Sequence, residues 1–447
     1  MSADLGLHLL GKRRFLPLFV TQFLNAFNDN LFKNAMVLFV VYQVLSDEAS
    51  ETWFSALATA LFILPFLTLS ALSGQLADAN DKAKIIRIVK ACEIGIMTIG
   101  AGGLIMGWLG IRVMEAAIPL MLLALLAMGI HSTFFGPIKY AVLPQHLERG
   151  DVLAGTGLVE AGTYLAILAG TIIAGIIAVQ TAAVMCFVIA LIGYVAGRQV
   201  PPAPPEEPGH KIDWNVIRSS VTLVRATMHI PRLFMAIVAI SFFWTVGAVL
   251  FILFPPLVKN VLTSDKEVAS LFLAIFSIGV SIGSIVINRL LKGEVSARYS
   301  APSVIVMGVF IVLFYQVCHG WERTPDGTLL QFWDFFHHPD ALKLVGCLLG
   351  IAISGGMFVV PLYAFLTTTV HKSEAARTVA ANNIVNSLAM VIGSIISTGL
   401  SLLEMQTVDQ LLLAAAMCLV SAWLGWKLHK VCDDGKIFEG HSLPEDA

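Results

Sequence analysis

The residues of this chain with the most chemistry per position lie in its first long apolar run, Phe27-Asn28-Asp29-Asn30-Leu31-Phe32-Lys33-Asn34. In a segment that must cross hydrocarbon, a charged side chain costs on the order of 2.5–3.5 kcal/mol on insertion scales. It therefore faces a protein interior or a watery cavity and serves function. At 100° per residue Gln22, Asn25, Asp29 and Lys33 share one helix face, with Asn28 and Asn30 on its flanks. Two readings of that face stand. Asp29 and Lys33 are i and i+4 with the acid first, the spacing of a self-neutralising pair. Alternatively the face is a polar stripe on a substrate cavity, Asp29 attracting a cationic group and Lys33 an anionic one.

Other polar residues inside apolar segments extend the set of candidates. Glu160 lies about eight residues into the fifth segment, and an internal repeat puts Asn383 at the matching place in the eleventh. Each is a cavity residue or a helix–helix hydrogen bonder. Lys139, at the end of the fourth segment, is either a substrate contact or a snorkelling interfacial lysine. Lys90 and Glu93, three apart in the third, read as a local ion pair. The seventh segment has no charge between 233 and 258 but carries Phe242-Phe243-Trp244, then Phe251 and Phe254. If Trp244 and its neighbours line a cavity, one wall is polar and the other apolar, as an amphiphile requires.

Catalytic and metal chemistry find no support. Gly279-Val280-Ser281-Ile282-Gly283 fits a nucleophile pattern but lies inside an apolar helix with no preceding strand. His146 and Asp151 have the spacing of an acyltransferase pair, as do His429 and Asp434, without a soluble domain around either. Asp151 suits the N-cap of the fifth helix. The six cysteines include no CxxC pair, so neither a disulfide framework nor a metal site is expected. His337 and His338 lack further ligands.

The elements that position these residues are membrane helices. The chain is 57% hydrophobic and 13% charged, with a mean hydropathy of +0.82, a polytopic composition. Twelve spans of bilayer length are read near 15–44, 52–77, 85–109, 116–137, 152–179, 181–199, 233–258, 268–291, 301–319, 342–366, 379–403 and 408–428. The outer segments hold Arg112, Lys259, Lys266, Arg323 and Lys343. Most other Lys and Arg fall on the opposite side, so the positive-inside rule puts both termini in the cytoplasm. Lys12-Arg13-Arg14 leads into a run too long for a cleaved signal.

The domain reading is a cytoplasmic N-terminus at 1–14, a six-helix bundle at 15–199, a linker at 200–232, a second bundle at 233–430 and a tail at 431–447. Proline-rich 201–209 is an extended spacer, and 213–228 has the pattern of an amphipathic surface helix. Gly170-Thr171-Ile172-Ile173 matches Gly393-Ser394-Ile395-Ile396, a weak repeat relating the halves. Small residues at four-residue spacing, Gly162, Ala166, Gly170 and Ala174, suit close helix packing. The outer loop 320–341, rich in Trp and Phe, reads as a membrane-surface belt.

Gly74-Gln75-Leu76-Ala77-Asp78-Ala79-Asn80-Asp81-Lys82 resembles the major-facilitator loop signature, with Asp81 replacing its second glycine. It implies a gate of Gly74, Asp78 and Arg377, in which Asp78 meets a helix N-terminus and a basic residue such as Arg377; the alternative is a solvated turn. With the span 1 run, Gly136-Pro137-Ile138-Lys139-Tyr140 and Gly157-Leu158-Val159-Glu160, the chain resembles bacterial lysophospholipid transporters of the major-facilitator class. Phe242-Phe243-Trp244 and Gly293-Glu294-Val295-Ser296-Ala297-Arg298-Tyr299 look most like the transporter module that some bacteria fuse to an acyltransferase and an acyl-carrier-protein synthetase.

The resemblance implies an all-α fold of twelve transmembrane helices in two six-helix halves. It also implies inward flipping of lysophosphatidylethanolamine-type lipid across a bacterial inner membrane for re-acylation, by a monomer without cofactor, enzyme activity or nucleic-acid partner. A cytoplasmic acyltransferase or acyl-carrier-protein synthetase is an implied partner, and membrane lipids surround it. Asp29 with its flanking asparagines, Lys139 and Glu160 are the implied polar site. Some members carry an arginine on span 7 that is missing here, which shifts phosphate recognition toward Lys33 or Lys139. A proton-coupled small-molecule exporter of the same fold, or a non-transporting partner of a lipid acyltransferase, are the alternatives.

Overall fold

A computed structural model describes residues 7–148, 151–205, 212–291, 296–322, 328–368 and 375–433. Six long helices precede the proline-rich segment: α1 (Leu16–Phe39), α2 (Glu48–Ala79), α3 (Lys82–Trp108), α4 (Ile118–Ala141), α5 (Val152–Ile176) and α6 (Val179–Arg198). Six follow it: α7 (Pro231–Asn260), α8 (Lys266–Leu291), α9 (Ser300–His319), α10 (Ala341–Thr368), α11 (Ala375–Leu402) and α12 (Thr407–Asp433). Among the described residues ten of these are long and apolar enough to span a bilayer. The other two are α1, made less apolar by its own polar run, and α5, in which the described residues include an apolar stretch at Ala161–Ile176.

The chain forms two compact units, residues 1–39 with 64–219, and residues 40–63 with 220–447. Within the first, α1 packs on α5 and α6, and α3 on α4 and α6. Within the second, α7 packs on α11 and α12, and α9 on α10 and α12. Shifted by six helices these four pairings coincide, the structural counterpart of the sequence repeat; the second unit adds a close α8–α10 pairing.

The matched glycines explain how these pairs come close. A Cβ on Gly170 of α5 would lie 2.6 Å from the Phe27 carbonyl oxygen and 3.1 Å from the Leu31 nitrogen of α1. One on Gly393 of α11 would lie 2.5 Å from Thr245 Cγ2 of α7. Ala166 and Ala174 are buried along the same α5 face, so the small-residue spacing does serve close helix approach.

Residues 40–63 join the second unit through polar ties. Lys259 pairs with Glu51 and donates to the carbonyls of Val41 (2.6 Å) and Leu45 (3.0 Å), Asn260 donates to Glu51, and the Tyr42 hydroxyl donates to the Ser264 carbonyl at 3.1 Å. Lys259 therefore satisfies carbonyls at the end of the first span.

Three local readings change. The start of the proline-rich segment is not a free spacer: Val200 and Ala203 are buried, and Lys82 N donates to the Ala203 carbonyl at 2.9 Å. In the segment between α9 and α10, Trp321 stacks on His338 and Phe335, and Leu330 N donates to the Thr263 carbonyl. Burial takes Trp321 and Phe335 out of the expected membrane belt, whereas Trp333 is 74% exposed. Asp151 occupies the N-cap position of α5 without a side-chain capping bond. Its carboxylate instead accepts from Lys12 at 2.5 Å and lies 3.4 Å from His8. The amphipathic helix within the linker does form, at Val216–Met228, and leaves Ile217 and Val221 exposed with Trp214 just before it.

Candidate functional site

Asp29 is the centre of a buried polar cluster in the first unit. Its side chain is buried (7% exposed), and its Oδ2 accepts from the Ser132 hydroxyl of α4 and from Asn25 Nδ2 at 3.1 Å. Asn25 in turn accepts from Lys90 Nζ of α3 at 3.2 Å. Lys90 pairs with Glu93, and Asn28 Nδ2 donates to Glu93 Oε1 at 2.9 Å. His131 Nε2 stands 3.6 Å from Glu93 Oε2. Three helices thus bring two carboxylates and a lysine into one hydrogen-bonded set with a histidine beside it, Lys90 fully buried and Glu93 1% exposed.

The set is not saturated. Asp29 Oδ1, Asn28 Oδ1, Gln22 Nε2 and both His131 nitrogens are buried without a hydrogen-bond partner among the described residues. Buried polar atoms are ordinarily paired, so these mark positions for a ligand or water.

The predicted stripe divides by partner. Gln22 turns to α5, accepting at 2.7 Å from Thr163, to which Lys139 Nζ donates at 3.4 Å. Asn34 donates to Thr171 of α5 at 3.0 Å. Asn25, Asn28 and Asp29 turn to α3 and α4. Asn30 donates to the Ala26 carbonyl of its own helix at 2.8 Å, which leaves its amide a local role. Lys33 is half-buried, and its charge acts on Asp29 from one turn away.

The second unit has its own, uncharged network. Trp244 Nε1 donates to the Tyr363 hydroxyl at 2.7 Å, Asn386 Nδ2 lies 3.4 Å from the same hydroxyl, and Asn386 Oδ1 accepts from Ser241 at 2.7 Å. Asn383 is exposed, whereas Asn382, one position earlier, is buried with both side-chain polar atoms unpaired. Gly74 has open space around it. The side chains of Glu160, Asp78 and Arg377 lie outside the described residues.

The Major Facilitator Superfamily model matches residues 18–394. The chain belongs to the Major Facilitator Superfamily. A lysophospholipid transporter LplT of Escherichia coli O157:H7 (strain EC4115) is 26% identical over 386 residues, covering 83% of this chain and 85% of the relative. One of Shigella boydii serotype 4 is 25% identical over the same span. Among solved structures, a D-xylose-proton symporter superposes with a TM-score of 0.68 at 12% identity, covering 93% of this chain and 97% of that one. A bacterial homologue of the human lysosomal transporter Spinster gives 0.63 at 13%, covering 96% and 99%. The fold and the relatives are those of transporters rather than enzymes, and the chain is a multi-pass membrane protein.

Set against the superfamily loop signature, the departure at Asp81 has a local explanation. Its Oδ1 accepts from Ala83 N at 2.9 Å, capping α3, and from Ala203 N at 3.0 Å, fastening the proline-rich segment. A glycine could do neither.

Sequence reasoning missed that Lys90, Glu93, His131 and Ser132 belong with Asp29. Lys90 and Glu93 do pair, as their spacing suggests, but they also hold Asn25 and Asn28. The signal was present: a lysine and a glutamate inside span 3, and His131-Ser132-Thr133 inside span 4, are polar groups in hydrocarbon just as Asp29 is.

Proposed function

We propose that this superfamily member moves lysophospholipids of the lysophosphatidylethanolamine type from the outer to the inner leaflet of a bacterial inner membrane, supplying them for re-acylation. The observation that carries the reading is Asp29: a buried carboxylate held by Ser132 and Asn25 with its second oxygen unpaired. The headgroup ammonium meets that oxygen, and the phosphate meets Lys33 or Lys139, because span 7 offers no basic residue. Support for the lipid comes from the lysophospholipid transporters that match most of this chain. Alternating access of two six-helix repeats, both termini cytoplasmic, is the expected mode, with the Gly74–Asp78 end of α2 as its gate. A substrate bound equally well in both states would shift nothing, so the Asp29 contact has to differ between them.

A second reading, a proton-coupled exporter of a small molecule, is favoured by the buried Asp29–Lys90–Glu93–His131 set, which has titratable groups to spare. Proteoliposomes containing acyl-labelled lysophosphatidylethanolamine separate the two. Inward movement of the lipid without a proton gradient supports the lipid reading. Absence of lipid movement, with gradient-driven movement of a soluble cation, would replace it with the exporter.

A further inference from the structure

Away from the Asp29 cluster, the first unit carries an open basin of about 580 Å³ at the ends of α1, α3 and α6. Arg13, Arg14, Arg87 and Arg198 line it together with Pro201 and Pro202, and no carboxylate is among the described lining residues. Two guanidinium groups are fixed at its edge: Arg87 donates to the Val200 carbonyl at 3.1 Å, and Arg198 stands 5.9 Å from the centre of the Tyr194 ring. The far wall is fixed too, because Asp81 and Lys82 fasten Ala203 just beyond the two prolines.

We propose that this basin binds the phosphate-bearing headgroup of an anionic phospholipid from the adjoining leaflet, as a retained lipid distinct from the one transported. Four like charges around one hollow repel each other unless an anion fills it, and the planar fork of arginine matches phosphate oxygens two at a time. The volume falls within the roughly 300–1,000 Å³ of ordinary ligand sites. Basic hollows at helix ends are a known class of anionic headgroup site.

What selects a lipid over a soluble anion is the surface beside each arginine. Leu16 lies two residues after Arg14, Ile88 next to Arg87, and Val195 three residues before Arg198. All three are exposed, on helices that cross the membrane. An acyl chain running down these helices continues from a headgroup in the basin. Neither free phosphate nor an acidic protein makes use of that surface.

The test is binding of dioctanoyl phosphatidylglycerol to the purified full chain in neutral detergent, beside dioctanoyl phosphatidylethanolamine and inorganic phosphate. The expected order is phosphatidylglycerol first, with about fivefold lost for each Arg→Gln change and the losses compounding in Arg87→Gln/Arg198→Gln. Asp29→Asn leaves this binding unchanged, which separates it from substrate recognition. Arg87→Lys/Arg198→Lys keeps charge and fold, and its affinity falls between the parent and the glutamine pair. Equal phosphatidylglycerol binding by Arg13→Gln/Arg14→Gln/Arg87→Gln/Arg198→Gln overturns the proposal. So does inorganic phosphate binding as tightly as the lipid, or a polyaspartate peptide displacing it at lower concentration.

Discussion

Replacing Lys90 by methionine isolates the electrostatics of the buried cluster. The alkyl part of Lys90 is closely packed by α6: a Cβ on Gly193 would lie 3.1 Å from Lys90 Cε, and one on Gly197 3.3 Å from Cγ. Methionine fills nearly the same space, so little cavity is created. What is lost is the partner of Glu93, which is 1% exposed, and the donor to Asn25. Removing one member of a buried ion pair costs about 3–5 kcal/mol, because the other charge stays desolvated. Lys90→Met/Glu93→Gln removes both charges and keeps an acceptor for Asn28, so it recovers most of that cost, with a coupling energy of roughly 2–3 kcal/mol. Unfolding by SDS titration in mixed micelles, followed by far-ultraviolet circular dichroism, gives the four corners of the cycle. A single change costing under about 1 kcal/mol, or a double variant no more stable than the single, refutes the reasoning.

Other positions give sharper yes-or-no outcomes. Gly170→Leu puts a side chain into the α1 backbone at Phe27 and Leu31, and overpacking of about 1–3 kcal/mol or more should abolish monodisperse protein in size-exclusion chromatography. Asp81→Ala removes the cap on Ala83 and the tie to Ala203. Stability should fall by about 0.5–2 kcal/mol, and limited proteolysis should cut faster in the segment after 200. The carboxyl of Asp151 is held below the usual range by the Lys12 hydrogen bond, and Lys12 is raised by the same bond. The depressed carboxyl contributes stability above its unfolded pKa and loses it as pH falls through the folded one; the raised ammonium loses its share as pH climbs through its own folded value. Thermal scans of Asp151→Asn should therefore run below the parent at neutral pH and converge with it in acid.

Most of the fold is legible in the sequence because bilayer physics is coarse: about 20 apolar residues per span suffice to place the helices. Gly170 and Gly393 carried the repeat because both do the same job, bringing a helix backbone against α1 or α7. The site was half legible. Asp29, Asn25 and Asn28 announce themselves as polar groups in a greasy helix, but which neighbour each meets depends on rotations of α3 and α4 that periodicity does not encode. For the same reason the repeat led to Asn383, while the buried amides are Asn382 and Asn386. Asp81 could not be read, because its second partner, Ala203, is 122 residues away. Asp151 deceived by position: it stands where a cap should, yet Lys12 takes its side chain.

The central claim is that Asp29 recognises the ammonium of the transported headgroup. Its most direct test compares inward movement of lysophosphatidylethanolamine and lysophosphatidylglycerol in proteoliposomes carrying the parent or Asp29→Asn. Loss of one charge-assisted hydrogen bond, worth about 1.5–3 kcal/mol, should cut the ethanolamine lipid at least tenfold and spare the glycerol lipid. Equal rates for both lipids in parent and variant would contradict the account.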